Sequence, residues 1–278
     1  MERRTVRAID SALPPGVLRA PAEPGLAIAI AALLVALPRP SLAQRVSEGA
    51  DVAARGTLEV ETDYAQIWSD SAVANSGAAL LKYSLSDSLQ LQLGTNNLIT
   101  VQSGASTQLL DGVYLGSKLV LRDQGEIAPS IAVSAMVMLP TRDGDAALTQ
   151  TVDTYLCAYA SKNVLGLHTD LNLGLNVLSI DDHPATQLVA AAAVSRELVP
   201  DLGAAFETYM FQGGGAYADH DAGALLALSY TPAPWIKIEA GGDLALYRDA
   251  RSLTLFTAVT VVPYRPARPA ERAELASR

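Results

Sequence analysis

The chain has 278 residues, half of them apolar, and carries a formal net charge of −9 at pH 7. Such an acidic chain is a poor binder of nucleic acid, and its single cysteine, Cys157, excludes an internal disulfide and a cysteine-ligated zinc site. After residue 43 no run of about 18 uncharged apolar residues occurs, which argues against a helical membrane protein.

The N-terminal region has the pattern of a secretory signal peptide. Several arginines precede the uncharged apolar run 25–37, and a small-x-small cleavage site ends at Ala43. We therefore expect residues 1–43 to be a signal peptide that is removed on export. The mature chain then begins with a short periplasmic leader, 44–56.

Strand-like segments recur from residue 57 to residue 264. In several of them apolar and polar residues alternate, which gives a strand one apolar face and one wet face. Twelve segments are predicted, an even number, as single-chain bacterial barrels require. They are 57–68, 78–85, 88–101, 110–121, 127–138, 151–161, 165–179, 185–196, 201–212, 221–231, 234–247 and 252–263.

The clearest alternation is LGLHTDLNLGLNV at 165–177. Every second residue from Leu165 is apolar with one exception, and the residues between them include His168, Asp170 and Asn172. At about 3.3 Å per residue, a strand of this length reaches across the ~30 Å hydrocarbon core of a bilayer even when it is tilted by ~45°. Strands of soluble sandwiches are usually shorter, so the length favours a membrane barrel.

The connections between the strands also favour a barrel. Counted from the N-terminus, the odd connections are long, as in LPTRDGDAALTQ, and the even ones are tight, as in SKNV and TPAP. Outer-membrane barrels have short periplasmic turns and longer outer loops. The sequence thus predicts an all-β fold, a transmembrane antiparallel up-and-down barrel over 57–264 with both termini in the periplasm. A disordered periplasmic tail, 265–278, is expected to follow.

Several short motifs resemble those of a known family. They are DGVYLGSK at 111–118, MLPT at 138–141, FETY at 206–209, LSYTP at 228–232 and IEAG at 238–241. In these motifs the chain resembles the outer-membrane transporter family named for the MetA pathway of phenol degradation. The resemblance covers roughly residues 57–264, and it implies passage of small molecules, aromatic or hydrophobic ones among them, across the outer membrane.

Polar residues on the wet faces are the candidate lining of a channel. A charge that faces lipid at the bilayer midplane costs roughly 2–4 kcal/mol, so these side chains are expected to face the lumen. Each could tune which solute passes, or could fill a narrow interior as half of a cross-strand pair. As an acidic set they predict a preference for cations or neutral solutes over anions. The predicted residues are Glu59, Glu61, Asp63, Lys82, Lys118, His168, Asp170, Asn172, Glu207, Lys237, Glu239 and Asp243.

Catalytic and metal sites have weaker support in the sequence. His168 and Asp170 share a face, but a barrel lipase also needs a nucleophile within hydrogen-bond reach of the histidine, and no serine can be assigned to that place. Two acidic loop segments, 181–183 and 219–221, could share a divalent cation, although acidic loop tips are more often simply solvated. We therefore predict no catalytic residue, no metal site, no cofactor and no enzyme activity.

The sequence predicts an exported outer-membrane channel or transporter that passes small solutes by passive diffusion through a polar lumen. Its expected partners are outer-membrane lipids and small solutes, while the solute and the oligomeric state do not follow from the sequence. A barrel of about twelve strands is intermediate between filled and open barrels, so side chains or the leader are candidates for narrowing it. A structural or adhesive barrel that binds a partner through its outer loops, and an outer-membrane lipid hydrolase, stay open as alternatives.

Overall fold

The computed structural model describes residues 47–69, 73–102, 105–139, 152–180, 183–213, 221–245 and 252–264. Its strands are β1 (Leu58–Ser69), β2 (Val73–Ser84), β3 (Leu89–Gln102), β4 (Ala105–Arg122), β5 (Ser130–Leu139), β6 (Asp153–Val164), β7 (Leu167–Ile180), β8 (His183–Val199), β9 (Leu202–Gly213), β10 (Asp221–Ala233), β11 (Ile236–Ala245) and β12 (Ser252–Tyr264). Each strand pairs with its neighbours in the sequence, and β1 pairs with β12 to close the barrel. No helix in the described ranges is long and apolar enough to cross a membrane.

The predicted fold class is confirmed, because the protein is an all-β barrel of twelve antiparallel strands in up-and-down order. Two strands begin earlier than predicted. The sequence pattern predicts loops at 73–77 and 105–109, but the structure pairs 73–77 with β1 and β3 and pairs 105–109 with β3. These residues lack a clear alternation, and the neighbouring strands supply the hydrogen bonds that hold them extended.

The difference between long and tight connections is therefore smaller than predicted. At the end that the sequence assigns to the outer loops, the connections 103–104 and 181–182 are as short as the turn 165–166 at the opposite end, and 70–72 is one residue longer. The connection 140–152 stays long. Connection length alone thus gives the barrel only partial support, and strand alternation provides the rest.

Leu165 lies in a turn and not, as the alternation predicts, at the outward-facing start of a strand. Its φ is 53° and that of the following Gly166 is 77°, so both central residues of the β6–β7 hairpin are left-handed. Two left-handed residues are the geometry of a type I′ turn, whose twist matches that of the flanking strands. Leucine rarely adopts this conformation, and for that reason the turn is hard to see in the sequence.

Alternation along the strands separates an apolar outer face from an inner face that carries the buried polar and charged side chains. On β7, Leu171 and Leu173 point outward and are 59% and 58% exposed, while Asn172 between them is buried. Elsewhere on the inner face, Lys118 is 1% exposed and Glu207 is 0% exposed. Soluble proteins show the opposite arrangement, with leucines buried and charged side chains in water.

Exposed aromatic side chains mark the end of the barrel at which β1 begins. Tyr83 lies near the end of β2, Tyr230 near the end of β10 and Tyr264 at the end of β12. Trp235 lies in the turn between β10 and β11 and is also exposed. The four side chains lie at this end on the arc of the barrel from β10 to β2, and we refer to them as the aromatic belt.

Candidate functional site

The leader runs inside the barrel before β1 begins. The sequence predicts 44–56 as a periplasmic leader, and its described residues contact inward-facing side chains of the wall. Ser47 and Ala50 are buried there. Near β1 the leader is joined to β2, because the Gly56 N–H donates to the Ser84 carbonyl at 2.6 Å. The candidate site is therefore built from wall side chains and from the chain's own leader.

Glu48 of the leader is held by two lysines of the wall. Its Oε1 atom lies 2.9 Å from Lys82 Nζ and 3.3 Å from Lys118 Nζ. Burial by itself raises the pKa of Glu48, but the two ammonium groups outweigh burial and lower this pKa to about 2. Glu48 is therefore ionised throughout the physiological pH range.

The two lysines differ in what else they contact. Lys82 also forms an ion pair with Glu61 of β1, at 2.9 Å. Lys118 donates to the Gly49 carbonyl, and its Nζ lies 4.6 Å from the ring centroid of Tyr159. Within the described part of the chain, both polar partners of Lys118 thus belong to the leader. A buried ammonium without such partners is costly, so the leader compensates a charge of the wall.

The backbone of the leader is also paired with the wall. With its amide oriented so that donors meet acceptors, Asn172 donates to the Glu48 carbonyl at 3.0 Å and accepts from the Glu48 N–H at 2.7 Å. At the start of the described leader, Ser47 donates to the carboxylate of Glu207 through its hydroxyl and, at 3.1 Å, through its N–H. Charge-assisted bonds of this kind are stronger than neutral ones, so both contacts favour one leader position.

A serine, an aspartate and a histidine meet where the leader passes β6 and β7. Ser161 Oγ accepts from the Ala50 N–H at 2.7 Å and donates to Asp170 Oδ1 at 2.5 Å. His168 Nε2 lies 3.1 Å from the same Asp170 oxygen. Gly49 passes over this cluster, since a Cβ added to it would lie 3.4 Å from Asp170 Oδ1.

The arrangement of this cluster does not match that of a hydrolase. The structure brings Ser161 close to His168, a neighbour that could not be assigned from the sequence. In a catalytic triad the histidine accepts the serine proton and the aspartate orients the histidine. Here the Ser161 hydroxyl donates to Asp170, and His168 contacts Asp170 as well. In the described residues Ser161 is thus hydrogen-bonded to the aspartate and to the leader's Ala50 N–H, an arrangement that differs from the serine–histidine bond of a triad.

The remaining predicted residues also lie on inward-facing positions, away from the lysine pair or at its edge. Glu59 accepts from Gln90 Nε2 at 3.2 Å, and Asp63 accepts from the Ala78 N–H at 3.2 Å. Lys237 and Glu239 form an ion pair at 3.2 Å. Asp243, the last of the twelve predicted residues, accepts from the Tyr209 hydroxyl at 2.9 Å. That these residues line a solute path stays a prediction.

Part of the interior is apolar, whereas the sequence predicts a polar lumen. Ala65, Leu225, Ala227 and Phe256 form a buried cluster on β1, β10 and β12. A second cluster joins Ala50 of the leader to Ala132 and Tyr159 of the wall. Alternation along β12 could have placed Phe256 on the inner face with Thr254, because Leu253 and Leu255 share the opposite face.

Metal ligands are not grouped in the described residues. No cluster of three or more histidine, cysteine, aspartate or glutamate side chains there could hold a metal ion. The acidic segments 181–183 and 219–221, the sequence's candidates for a cation site, lie outside the described residues except for the backbones of His183 and Asp221. That site stays an open hypothesis of the sequence.

No protein-family model matches the chain, and no curated protein matches its sequence. Solved structures match its fold. The COG4313 outer membrane channel from Pseudomonas putida F1 is similar with a TM-score of 0.65 and 16% identity, over 78% of this chain and 100% of that one. The NanC porin has a TM-score of 0.54 at 9% identity, over 72% of this chain and 98% of its own. The KdgM porin in complex with disordered oligogalacturonate has a TM-score of 0.52 at 12% identity, with the same coverages. The barrel fold is shared, and the resemblance to the MetA-pathway family stays a prediction.

Proposed function

We propose that this protein is an outer-membrane channel for small solutes, in which the leader restricts passage through the barrel. The proposal rests on the burial pattern of the barrel wall, which is the reverse of that in a soluble protein. Lys118 and Glu207 are buried on the inner face, while leucines such as Leu171 on the outer face are exposed. A closed barrel has no free sheet edge, and an apolar outer face suits lipid while a polar inner face suits a solute path.

The aromatic belt supports the placement in a membrane. Tyrosine and tryptophan are enriched at membrane–water interfaces, because one part of each ring is apolar and another part is polar. The exposed Tyr83, Tyr230, Trp235 and Tyr264 lie at one end of the barrel. The fold is also one that an outer-membrane channel and two porins use. Passive diffusion is the simplest mechanism that these features support.

The contacts of the leader favour a restricted channel over an open pore. Its residues from Ser47 to Ala50 contact β2, β4, β6, β7 and β9, so the segment crosses the interior. These contacts are polar, and Ala50 adds one small apolar contact with Ala132 and Tyr159. We propose that solutes pass when the leader moves away from the lysines, and that the acidic wall beyond them favours cations and neutral solutes.

Liposome swelling with a small neutral sugar tests this function. The test compares the full-length protein with Ala50→Asp, which puts a carboxylate into the buried apolar cluster that Ala50 forms with Ala132 and Tyr159 and should displace the leader. Asp51→Ala is the matched control, because the Asp51 side chain is exposed. We expect slow swelling for the full-length protein and the control, and faster swelling for Ala50→Asp. No flux from any of the three at high protein load would exclude a channel and favour an adhesive or structural barrel.

A further inference from the structure

We propose that Lys82 and Lys118 form a carboxylate-binding site on the channel wall, which Glu48 occupies as a tethered substitute for a carboxylate-bearing solute. The inference rests on the proposed channel function and names a class of solute for it. It differs from the preference for cations and neutral solutes that the acidic set predicts, because it concerns one local site and not the average charge of the wall.

The two lysines differ in whether the wall supplies a carboxylate at ion-pair distance. Lys82 has one besides Glu48, because Glu61 of β1 lies 2.9 Å from its Nζ. Lys118 is 1% exposed, and in the described residues its carboxylate partner is Glu48 alone. When the leader leaves, Lys118 loses this ion pair and its hydrogen bond to the Gly49 carbonyl. A solute carboxylate at the same place would replace the lost ion pair.

The wall around the lysines recognises more than a charge. Asn172 accepts from the Glu48 N–H at 2.7 Å and donates to its carbonyl at 3.0 Å. Lys118 donates both to the carboxylate of Glu48 and toward the Gly49 carbonyl. The occupant therefore presents a carboxylate together with an amide a few bonds away. Small carboxylates that also carry an amide or a similar polar group are the solutes that fit best.

The tether makes Glu48 a competitor of such a solute. A segment attached directly to β1 presents its carboxylate to the lysines at an effective concentration on the order of millimolar. A solute of equal intrinsic affinity binds only when it displaces Glu48, and its binding then favours the undocked leader. The same pair of lysines thus links the presence of solute to the position of the leader.

The probe for this site is 4-acetamidobutyrate, which carries the side-chain carboxylate and the amide N–H of Glu48 and little else of the leader. Its neutral match is 4-acetamidobutyramide. Isothermal titration calorimetry on the purified full-length protein in detergent compares the wild type with Glu48→Ala. We expect the carboxylate to bind Glu48→Ala about tenfold or more tightly than it binds the wild type, because the tethered carboxylate no longer competes for the lysines. The amide should bind neither protein measurably.

Two further variants in the Glu48→Ala background identify the lysines as the site. Lys118→Met should weaken carboxylate binding by about tenfold or more, since it removes a charge-assisted hydrogen bond. Lys237→Met is the matched control, because Lys237 faces inward but pairs with Glu239. If Lys118→Met does not fold, as judged by heat-modifiable migration, Lys82→Met replaces it. Absence of carboxylate binding to Glu48→Ala, or equal binding to the Lys118 and Lys237 variants, would overturn the proposal.

Failure of this inference can be told apart from failure of the channel function. Binding is measured in detergent without transport, and swelling with a neutral sugar is measured without the carboxylate. Neutral flux without carboxylate binding would overturn the lysine site and leave the channel in place. Carboxylate binding without any flux would leave the site in place and contradict the channel.

Discussion

The barrel interior has two sides that are filled in different ways. On the leader-facing wall, which we define by Lys82, Lys118, Ser161, Asn172 and Glu207, buried polar groups are paired with the leader. On the apolar wall, which we define by Ala65, Leu225, Ala227 and Phe256, side chains pack against one another. A wall of buried polar groups needs partners, whereas an apolar wall excludes water and needs none.

The comparison indicates which interactions hold the barrel and which hold the leader. Packing on the apolar wall joins strands that are already paired, so it stabilises the barrel itself. Polar contacts on the leader-facing wall join the wall to a segment outside the strand ladder, so they control where that segment lies. Changes to the two walls should therefore have separate effects, on unfolding in one case and on solute flux in the other.

The largest expected effect on stability comes from Phe256→Ala on the apolar wall. Deleting a buried phenylalanine side chain costs about 3–5 kcal/mol of unfolding free energy, because a cavity is left behind. Urea titration of the protein in lipid vesicles measures this cost, and swelling should change little because the leader keeps its partners. Phe206→Ala is the control, since Phe206 points outward and is 47% exposed. A flux increase in Phe256→Ala without a loss of stability would contradict the separation of the two walls.

The next largest effect comes from Glu48→Gln on the leader-facing wall. Loss of the ion pairs to Lys82 and Lys118 removes about 1.5–3 kcal/mol of docking free energy. The undocked population then rises by about ten- to a hundredfold. Neutral-sugar swelling should accelerate accordingly, while the urea midpoint of the barrel stays close to that of the wild type. A large drop in that midpoint with unchanged swelling would mean that Glu48 supports the barrel and not the leader position.

Ser161→Ala should have a smaller effect in the same direction. It removes the acceptor of the Ala50 N–H and one donor to Asp170, and a typical hydrogen bond contributes about 1 kcal/mol. We expect a several-fold increase in swelling rate and no gain or loss of lipid hydrolysis. Loss of a phospholipase activity in this variant would instead revive the hydrolase alternative.

The smallest effect is expected from pH between 5 and 8. The pKa of Glu48 is lowered from its ordinary value of 4.5 to about 2, so its contribution to docking is fully present above pH 4.5. This contribution is lost as pH falls from 4.5 through 2. Swelling rates should therefore be insensitive to the charge of Glu48 at neutral pH and should increase only in strong acid. Glu48→Gln should lack the component of the acid response that Glu48 contributes.

Much of the architecture is predictable from the sequence, because one-residue alternation over long strands assigns side chains to two faces. The alternation puts Lys118, Asn172 and Glu207 on the wet face, and they lie inward in the structure. Boundaries are less predictable where a neighbouring strand imposes extension on small residues, as at 73–77. The Leu165 turn is missed because its residue type is unusual for its left-handed backbone.

The candidate site is less predictable, because its key contacts join residues far apart in the sequence. Glu48 has no repeated pattern around it, and nothing local indicates that its carboxylate reaches Lys82 and Lys118. Ser161 could have been placed beside Asp170 only from the register of β6 and β7. Whether Lys118 is half of a cross-strand pair also depends on distances, and among the described residues its carboxylate partner at ion-pair distance is Glu48 of the leader.

Single-channel recording of Glu48→Lys in planar bilayers tests the role of the leader most directly. The substitution puts a third ammonium against Lys82 and Lys118, and like charges at this distance cost several kcal/mol, so the leader should leave the interior. We expect rare or small openings for the wild type and a larger, persistent conductance for Glu48→Lys in the same lipid and salt. Equal conductance of the two proteins would contradict a leader that restricts the channel.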